Sequence, residues 1–393
     1  MYRIGDAELK RIDALFKSGK VFRYGRGGEC SRFEEVWSRK LGVKYCRMTT
    51  SGTSAIYAAL IGLRIGPGDE VIVPACTYMA TALSVLAAGA IPVVADVDES
   101  MTLCPKDLER RIGPQTRAVI PVHMWGLPCN MKSIMRVARK HKLLVLEDAC
   151  QAVGGGYEGK ALGSIGHAGA FSFNYYKNMT SGEGGAFVTK SKAVMGRGSV
   201  AVDCCQYYWN PEETNSEEQF AGLNYRATEI SGAILNAQVK RIDQMLKKMR
   251  SHKKRLRDEG ASAGLTPSPV NSLEYECGTH LGFLFESDTE AQAFSKGLRE
   301  RGVGPMIPIN TGRHVYTRWD PILRKQGAHH PALDPFKLAE NKKCRMDYSV
   351  GMCKRSLDIM NRTVFLSMHP DNMASRVREV GRAIRDTANS MMI

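Results

Sequence analysis

The order of apolar segments in the first 240 residues constrains the fold more than any other feature. Short runs rich in apolar and β-branched residues alternate with segments whose apolar residues recur at helical spacing. The strand-like runs are residues 69–75, 90–98, 116–126 and 142–152, and the helical segments are residues 51–66, 78–89 and 130–142. Each strand-like run is apolar on both sides, which is typical of a parallel strand buried between helices. The alternation therefore predicts an α/β domain with a large, mostly parallel central sheet flanked by helices.

The second part of the chain has a different character. Residues 224–260 form one long helical pattern with a basic second half, and a stretch containing Gly and Pro follows it. An apolar run at 280–286 and a closing amphipathic segment then predict further strands and helices. We expect a large domain over residues 1–250 and a smaller C-terminal α/β domain over residues 251–393. The polar stretch at 313–350 predicts a long irregular loop.

Charge and cysteine content narrow the class of protein. The 393 residues carry 55 Lys and Arg against 40 Asp and Glu, a net charge of +15 that favours anionic partners. The basic helical segment has no interleaved aromatic residues, so we expect no nucleic-acid partner. The 11 cysteines are odd in number and form no CxxC pair, and no signal peptide or membrane-spanning run occurs. These features predict a cytoplasmic protein with reduced thiols, no metal site and no membrane contact.

Polar residues stand at the predicted ends of strands, where α/β proteins place their chemistry. In TTSGTSA, residues 49–55, hydroxyl groups and a glycine lead into a helix, whose N-terminal N–H groups suit a phosphate. A plain helix cap by Ser51 or Thr53 is the alternative. Glu147 and Asp148 end another apolar run, and a buried carboxylate there needs a partner such as a protonated ring nitrogen. A helix N-cap is the alternative for Asp148.

The segment FSFNYYKNMTSGEGG, residues 171–185, places one lysine between aromatic pairs and a glycine-rich turn. A lysine is nucleophilic as the neutral amine, and an apolar setting or a nearby cation favours that form. We interpret Lys177 as a nucleophile, the aromatic residues as walls of its pocket, and Ser172 as facing that pocket. A lysine that reaches solvent from a loop is the alternative. Tyr78, just after a strand, either stacks on a planar ligand or packs in the core.

In their order along the chain, these motifs resemble the DegT/DnrJ type of sugar aminotransferases, which are fold-type-I pyridoxal phosphate enzymes. The segments that carry the resemblance span roughly residues 30 to 245: GTSAIYAAL, GPGDEVIVPACTY, IPVVADVD, AVIPVHMWG, EDACQA, FSFNYYKNMTSGEGGAFVT and GLNYRATEISGAI. The resemblance implies that Lys177 binds pyridoxal 5'-phosphate as a Schiff base and transfers the proton, and that Asp148 faces the pyridine nitrogen. It assigns the other cofactor contacts to Gly52, Thr53, Ser54, Tyr78, Gln151, Ser172 and, from the second subunit of a homodimer, Asn224, with Arg226 as a further candidate from that subunit.

The resemblance also implies a reaction. An amino group passes from L-glutamate or glutamine to a keto-sugar in amino-sugar biosynthesis. The positive charge fits an anionic acceptor, either nucleotide-linked or carboxylated. An aminotransferase for a keto-cyclitol and a non-catalytic pyridoxal-phosphate-binding regulator are the alternatives. We expect Arg26, Arg313 and His314 to contact the substrate, and Arg23 either to meet an anionic group or to lie in a basic surface loop. Asn174, where the family commonly has histidine, has no role predicted from the sequence.

Overall fold

A seven-stranded sheet organises the first half of the chain. The computed structural model describes residues 4–24, 27–204, 206–209 and 219–391. The strands of the sheet are β1 (Tyr45–Thr49), β2 (Glu70–Pro74), β3 (Ile91–Ala95), β4 (Thr116–Val119), β5 (Leu144–Asp148), β8 (Ala168–Ser172) and β9 (Gly185–Thr189), and a small hairpin of β6 (Gly156–Tyr157) and β7 (Lys160–Ala161) lies apart. Their order is β1-β9-β8-β5-β4-β2-β3, and only β9 runs antiparallel to its neighbours. The predicted α/β fold with a mostly parallel sheet is therefore confirmed.

Each strand-like run of the sequence contains an observed strand, but the runs are longer than the strands. The run at 116–126 is a strand only over Thr116–Val119, and Met124–Gly126 forms a 3-10 turn. Pro121 has no N–H to donate to a sheet, and Trp125 has a φ of 52°. The chain therefore leaves the sheet at this point and forms a loop beyond the end of the strand.

Helices cover both faces of the sheet. They are α1 (Asp6–Ser18), α2 (Glu29–Leu41), α3 (Gly52–Gly62), α4 (Ala80–Ala87), α5 (Pro105–Arg110), α6 (Met131–Lys140), α7 (Lys192–Val202), α8 (Gln206–Trp209), α9 (Glu229–Gln238) and α10 (Ile242–Ser262). In the described part of the chain, no helix is long and apolar enough to cross a membrane.

The aromatic residues of β8 belong to the core and not to a ligand pocket. Phe171 and Phe173 are fully buried, and their rings lie 5.3 Å and 6.2 Å from the ring of Trp37 on α2. Successive residues of a strand point to opposite faces of the sheet, so Ser172 lies on the other face. The prediction that these two phenylalanines wall the lysine pocket is therefore wrong.

The predicted single helix over residues 224–260 is wrong as well, because the segment contains an extended part and two helices. Asn224 and Arg226 form β-bridges with Asp203 and Thr49, which holds the first residues in an extended conformation. The hydroxyl group of Thr228 then accepts a hydrogen bond from the N–H of Ser231 and caps α9. After Gln238 the chain turns and begins α10.

A smaller antiparallel sheet forms the C-terminal part. It consists of β10 (Thr266–Pro267), β11 (His280–Leu284), β12 (Pro305–Met306) and β13 (Thr363–Ser367) in the order β10-β11-β13-β12. The helices of this part are α11 (Asp288–Glu300), α12 (Asp320–Leu323), α13 (Lys354–Asn361) and α14 (Ala374–Met391). Short helical turns occupy the predicted loop at 313–350. Helix α10 spans residue 250, and the domain division there stays a prediction.

Candidate active site

Helix α3 begins where strands β1, β5 and β8 end. Ser51 caps the helix, since its Oγ accepts a hydrogen bond from the N–H of Ser54 at 3.1 Å. Ser54 reciprocates, with its Oγ accepting from the N–H of Ser51 at 3.0 Å. The first N–H groups of a helix have no partner inside it, and this cap engages only that of Ser54. The N–H groups of Gly52 and Thr53 therefore face the space beyond the helix, where an anion is favoured.

Because Gly52 has no side chain, the start of α3 lies close to the residues at the ends of β5 and β8. A Cβ atom added at Gly52 would lie 2.8 Å from Cys150 Sγ and 2.8 Å from Ser172 Cβ, which is closer than real Cβ contacts. The hydroxyl group of Ser172 is consequently held at the N-terminus of α3. It already accepts a hydrogen bond from the N–H of Asn174 at 3.3 Å and keeps its own proton to donate. A helix N-terminus and a hydroxyl donor together form a cradle that fits a phosphate group.

Asp148 is a buried carboxylate without a cationic partner. It is 4% exposed, and no ion pair involving it occurs among the residues that the structure describes. Its Oδ1 accepts a hydrogen bond from the N–H of Cys150 at 3.0 Å, and its Oδ2 accepts one from Thr81 Oγ at 2.8 Å. Residues 149–152 form a turn and no helix, so the N-cap alternative is wrong. A buried negative charge of this kind fits a cationic group of a ligand.

Lys177 lies on the loop that joins β8 to β9. Across the ranges that the structure describes, its ammonium group forms no hydrogen bond and no ion pair, and the side chain is half-buried. Its charge acts on two groups of the site. Burial, then the positive charges of Lys177 and Arg313, lower the pKa of His314 to about 4. The charge of Lys177 also favours the thiolate of Cys150, although burial outweighs it and raises the pKa of that thiol.

Asn174 holds the lysine loop together, which accounts for a residue that the sequence left unexplained. Its Nδ2 donates to Glu183 Oε1 at 3.0 Å, and its Oδ1 accepts from the N–H of Tyr176 at 3.1 Å. Its backbone carbonyl accepts from the N–H of Lys177 at 3.0 Å. The amide therefore connects the two sides of the loop on which the lysine lies.

The chain near residue 314 runs alongside the segment after β2. The N–H of Thr77 donates to the carbonyl of His314 at 3.0 Å, and that of Met79 donates to Arg313 at 3.2 Å. This pairing brings the ring of His314 to 5.9 Å from that of Tyr78, which is 42% exposed. Arg313 is exposed beside it. Tyr78 therefore lies at a surface of the site, as a stacking residue must, and the core alternative does not describe it.

Gln151 and the indole of Trp125 connect this segment to the strand end that carries Asp148. The Oε1 of Gln151 accepts a hydrogen bond from the N–H of Trp125 at 3.3 Å. The ring of Trp125 in turn lies 6.0 Å from that of His314. His123, two residues before Trp125, is structural. Its Nδ1 accepts from the N–H of Cys129 at 3.1 Å, so the neutral ring carries its proton on Nε2, 3.1 Å from Glu147 Oε2.

The remaining predicted residues lie at the edge of the site or outside it. Asn224 is exposed, on a segment whose Tyr225 carbonyl accepts from the N–H of Thr50, next to the α3 cap. Arg226 binds Asp203 at 3.0 Å. Arg26 lies outside the described residues. Arg23 is buried in an ion pair with the carboxylate of Glu34 at 2.6 Å, so the alternative of a basic surface loop is wrong for this residue.

A comparison with protein families identifies the chain. The model of the DegT/DnrJ/EryC1/StrS aminotransferase family matches residues 3–319. The chain belongs to this family. The prediction of an aminotransferase-family enzyme is confirmed, and the family is one of pyridoxal-phosphate-dependent aminotransferases.

Two curated relatives of this DegT/DnrJ/EryC1/StrS member are named GDP-perosamine synthases. The one from Caulobacter vibrioides is 43% identical over 222 residues, which are 54% of this chain and 57% of that protein. The one from Vibrio cholerae is 34% identical over 299 residues, which are 74% of this chain and 77% of that protein. The match therefore spans a little over half the length of the first relative and about three quarters of the second.

The solved structures include an aminotransferase from Psychrobacter cryohalolentis with the same fold as this family member. Its TM-score is 0.83 at 25% identity, over 100% of this chain and 98% of that chain. The fold-type-I architecture is therefore confirmed. The roles of individual site residues, the amino donor, the homodimer and the cytoplasmic location stay predictions.

Proposed function

We propose that this protein is a pyridoxal-phosphate-dependent aminotransferase that transfers the amino group of L-glutamate to a nucleotide-linked keto-sugar. The observation that carries the proposal is the convergence of three groups around Gly52. They are the open N-terminus of α3, the amine of Lys177 and the buried carboxylate of Asp148, and neither side chain has an ion-pair partner among the residues that the structure describes. Pyridoxal phosphate carries a phosphate, an aldehyde and a basic ring nitrogen, which match these three groups in turn.

Each residue has a role in holding the cofactor. The α3 N-terminus, through Gly52 and Thr53, binds the phosphate together with the hydroxyl group of Ser172. Asp148 stabilises the protonated ring nitrogen. Lys177 forms the covalent link and then moves the proton that leaves the amino donor. When bound, the cofactor supplies an electron sink for the negative charge that this proton transfer creates.

Three further residues predicted to contact the cofactor lie beside the same space, and each contributes in a different way. Tyr78 presents an exposed aromatic ring for stacking on the cofactor. Gln151 approaches from the turn after β5. Ser54 contributes through the cap of α3, since its hydroxyl group is already engaged with Ser51.

We infer a GDP-linked keto-sugar as the acceptor. Support comes from the two relatives named GDP-perosamine synthases and from the net charge of +15, which favours a diphosphate-bearing substrate. The exposed guanidinium group of Arg313 and the neutral imidazole of His314 lie beside Tyr78 and are available to the acceptor. Arg313 suits the phosphates of such a substrate, and His314 suits hydroxyl groups of the sugar.

We also infer a homodimer whose interface adjoins the site. Large apolar side chains are exposed near the α3 cap and the lysine loop: Phe22 is 55% exposed, Leu223 52% and Tyr176 81%. Phe22 contacts the ring of Tyr24, which the guanidinium group of Arg226 covers at 5.5 Å. A second copy of the chain would bury this surface and would bring its Asn224 to the neighbouring site.

The acceptor is tested most simply in the reverse direction. Purified protein reconstituted with pyridoxal phosphate receives GDP-perosamine and 2-oxoglutarate, and the formation of L-glutamate is measured. We expect steady formation of glutamate by the wild type and none by Lys177→Ala. Turnover with a carboxylated amino sugar and none with GDP-perosamine would overturn the proposed acceptor. Failure of 2-oxoglutarate to accept an amino group from any amino sugar would overturn the proposed reaction.

A further inference from the structure

Two threonines for which no role was predicted form a line of hydrogen bonds that ends on Asp148. Thr81, in the first turn of α4, places its Oγ 2.8 Å from Asp148 Oδ2. Thr77, just after β2, places its Oγ 2.8 Å from that of Thr81. Both side chains are 1% exposed. The three groups therefore form a buried polar chain that ends on the predicted partner of the cofactor ring.

The chemistry of the groups fixes the direction of these hydrogen bonds. An ionised carboxylate has no proton, so Thr81 must donate to Asp148. A hydroxyl group has one proton, so Thr81 can only accept from Thr77. The Thr77 hydroxyl lies 2.8 Å from that of Thr81 and 3.4 Å from its other acceptor, the carbonyl of Tyr78, so the shorter contact favours donation to Thr81. Thr77 in turn is held by its backbone, whose N–H donates to the carbonyl of His314 at 3.0 Å. The resulting order is Thr77 to Thr81 to Asp148, with both hydroxyl protons pointing toward the carboxylate.

We propose that Thr77 and Thr81 are positioning residues that hold the carboxylate of Asp148 in the orientation that faces the cofactor ring nitrogen. This inference rests on the proposed function. Within the described residues, Oδ2 of Asp148 has no hydrogen-bond donor other than Thr81, and the second donor to the carboxylate is the N–H of Cys150 on Oδ1. A hydrogen bond to a charged group in a dry site contributes more than one in water, and each donation in a chain strengthens the next.

Removal of the Thr81 hydroxyl tests this assignment. In Thr81→Val, which keeps the shape of the side chain, we expect the dissociation constant for pyridoxal phosphate to rise by roughly tenfold to a hundredfold. The kcat of transamination should fall by a similar factor while the KM for glutamate changes less than threefold. Thr81→Ser keeps the donor and should stay within about threefold of the wild type in both quantities.

Thr387 provides a matched control. It is a buried threonine on α14 whose hydroxyl group has no hydrogen-bond partner in the described structure. Thr387→Val therefore makes the same chemical change without removing a hydrogen bond. We expect it to keep the cofactor affinity, the kcat and the melting temperature of the wild type, because no buried polar group loses a partner.

The hydroxyl group of Thr77 should also affect cofactor binding, because it donates to Thr81. Thr77→Val should weaken cofactor binding by several-fold when Thr81 is present and should have no added effect in the Thr81→Val background. If Thr81→Val fails to fold, Thr77→Val and Thr81→Ser carry the test alone. The proposed role of the two threonines would be wrong if Thr81→Val kept the cofactor affinity and kcat of the wild type. It would also be wrong if Thr81→Ser lost as much affinity and kcat as Thr81→Val. Either result would leave the proposed function intact. If the wild type binds no pyridoxal phosphate, both proposals fall.

Discussion

At the scale of single residues, the amine of Lys177 is the group on which the proposed chemistry depends. Because it forms no hydrogen bond or ion pair in the described part of the chain, its replacement breaks no polar contact. Lys177→Ala should therefore abolish transamination and leave the melting temperature nearly unchanged, while pyridoxal phosphate still binds without a covalent link. Glutamate formation and thermal unfolding check this prediction, with the exposed Lys192→Ala as the control. A rate of turnover in Lys177→Ala near that of the wild type would show that Lys177 is not the residue that binds the cofactor covalently.

Asp148 provides a second prediction at the same scale. Asp148→Asn keeps the shape of the side chain and removes the negative charge that a protonated ring nitrogen requires. The kcat should fall by about a thousandfold, because a preorganised charge next to the reacting group is lost. The measurement is the glutamate-dependent rate at saturating cofactor. A rate within a fewfold of the wild type would show that Asp148 does not act on the ring.

The sequence offers a signal for the proposed reacting residues and none for the residues that contact them. Lys177 and Asp148 occur in short motifs whose chemistry is visible in the residues themselves. Thr81 is 67 positions from Asp148 along the chain, and only the packing of α4 against α3, β2 and β3 brings the two side chains together. Asn174 was visible as a departure from the family pattern, but its contact with Glu183 requires the loop to close.

At the scale of elements, the start of α3 depends on the absence of a side chain at Gly52. A methyl group there would lie 2.8 Å from both Cys150 Sγ and Ser172 Cβ, so Gly52→Ala must push α3 away from the ends of β5 and β8. We expect the affinity for pyridoxal phosphate to fall by about tenfold to a hundredfold, as overpacking of a tight contact costs roughly 1–3 kcal/mol.

The control for this change is Gly304→Ala, because a Cβ atom at Gly304 meets nothing within 4 Å. It should bind the cofactor like the wild type. Cofactor titration followed by absorbance measures both variants. Unchanged affinity in Gly52→Ala would mean that the phosphate does not bind at the start of α3.

The sequence predicted which elements form the sheet. It did not predict which face of an element packs in the core or which segments pair with distant strands. The aromatic residues around Ser172 suggested a pocket, but strand alternation sends Phe171 and Phe173 into the core against α2. The helical pattern of residues 224–260 continues through positions that β-bridges hold extended. Periodicity does not show these long-range pairings.

At the scale of the whole molecule, His280 on β11 connects the C-terminal sheet to the loop that carries Trp125. Its Nδ1 lies 3.1 Å from the carbonyl of Trp125 and donates to it. Burial lowers the pKa of His280 from 6.5 to about 4. Below pH 6.5 the unfolded chain binds a proton at this histidine, whereas the folded chain binds it only near pH 4. Protonation therefore favours the unfolded chain, and this contribution to the free energy of unfolding is present above pH 6.5 and is lost as the pH falls.

We expect the free energy of unfolding to drop by ~2 kcal/mol between pH 7 and pH 5 on account of His280. His280→Asn, which retains a donor and does not titrate, should show a correspondingly weaker pH dependence in urea denaturation. His329→Asn, at an exposed position, should behave like the wild type. An identical pH dependence in His280→Asn and the wild type would contradict the assignment.

The proposed homodimer makes a prediction about assembly. Leu223→Glu places a charge in the exposed apolar surface beside the α3 cap and should convert the dimer to a monomer of 43.4 kDa. Sedimentation measures the mass, and the rate of transamination should fall with dissociation because Asn224 no longer reaches the second site. Leu333→Glu, at another exposed leucine, should remain dimeric. A monomeric wild type with full activity would contradict the shared site.

The central claim is that the amine of Lys177 would hold pyridoxal phosphate through a covalent link and would be released as a free amine when the amino group of glutamate takes its place. The most direct measurement is the visible absorbance of the reconstituted wild type before and after L-glutamate is added without an acceptor. We predict a visible band that glutamate bleaches and that 2-oxoglutarate restores, and Lys177→Ala should lack the lysine-dependent band. A wild type that shows no such band, or whose band does not change with glutamate or glutamine, would contradict the account.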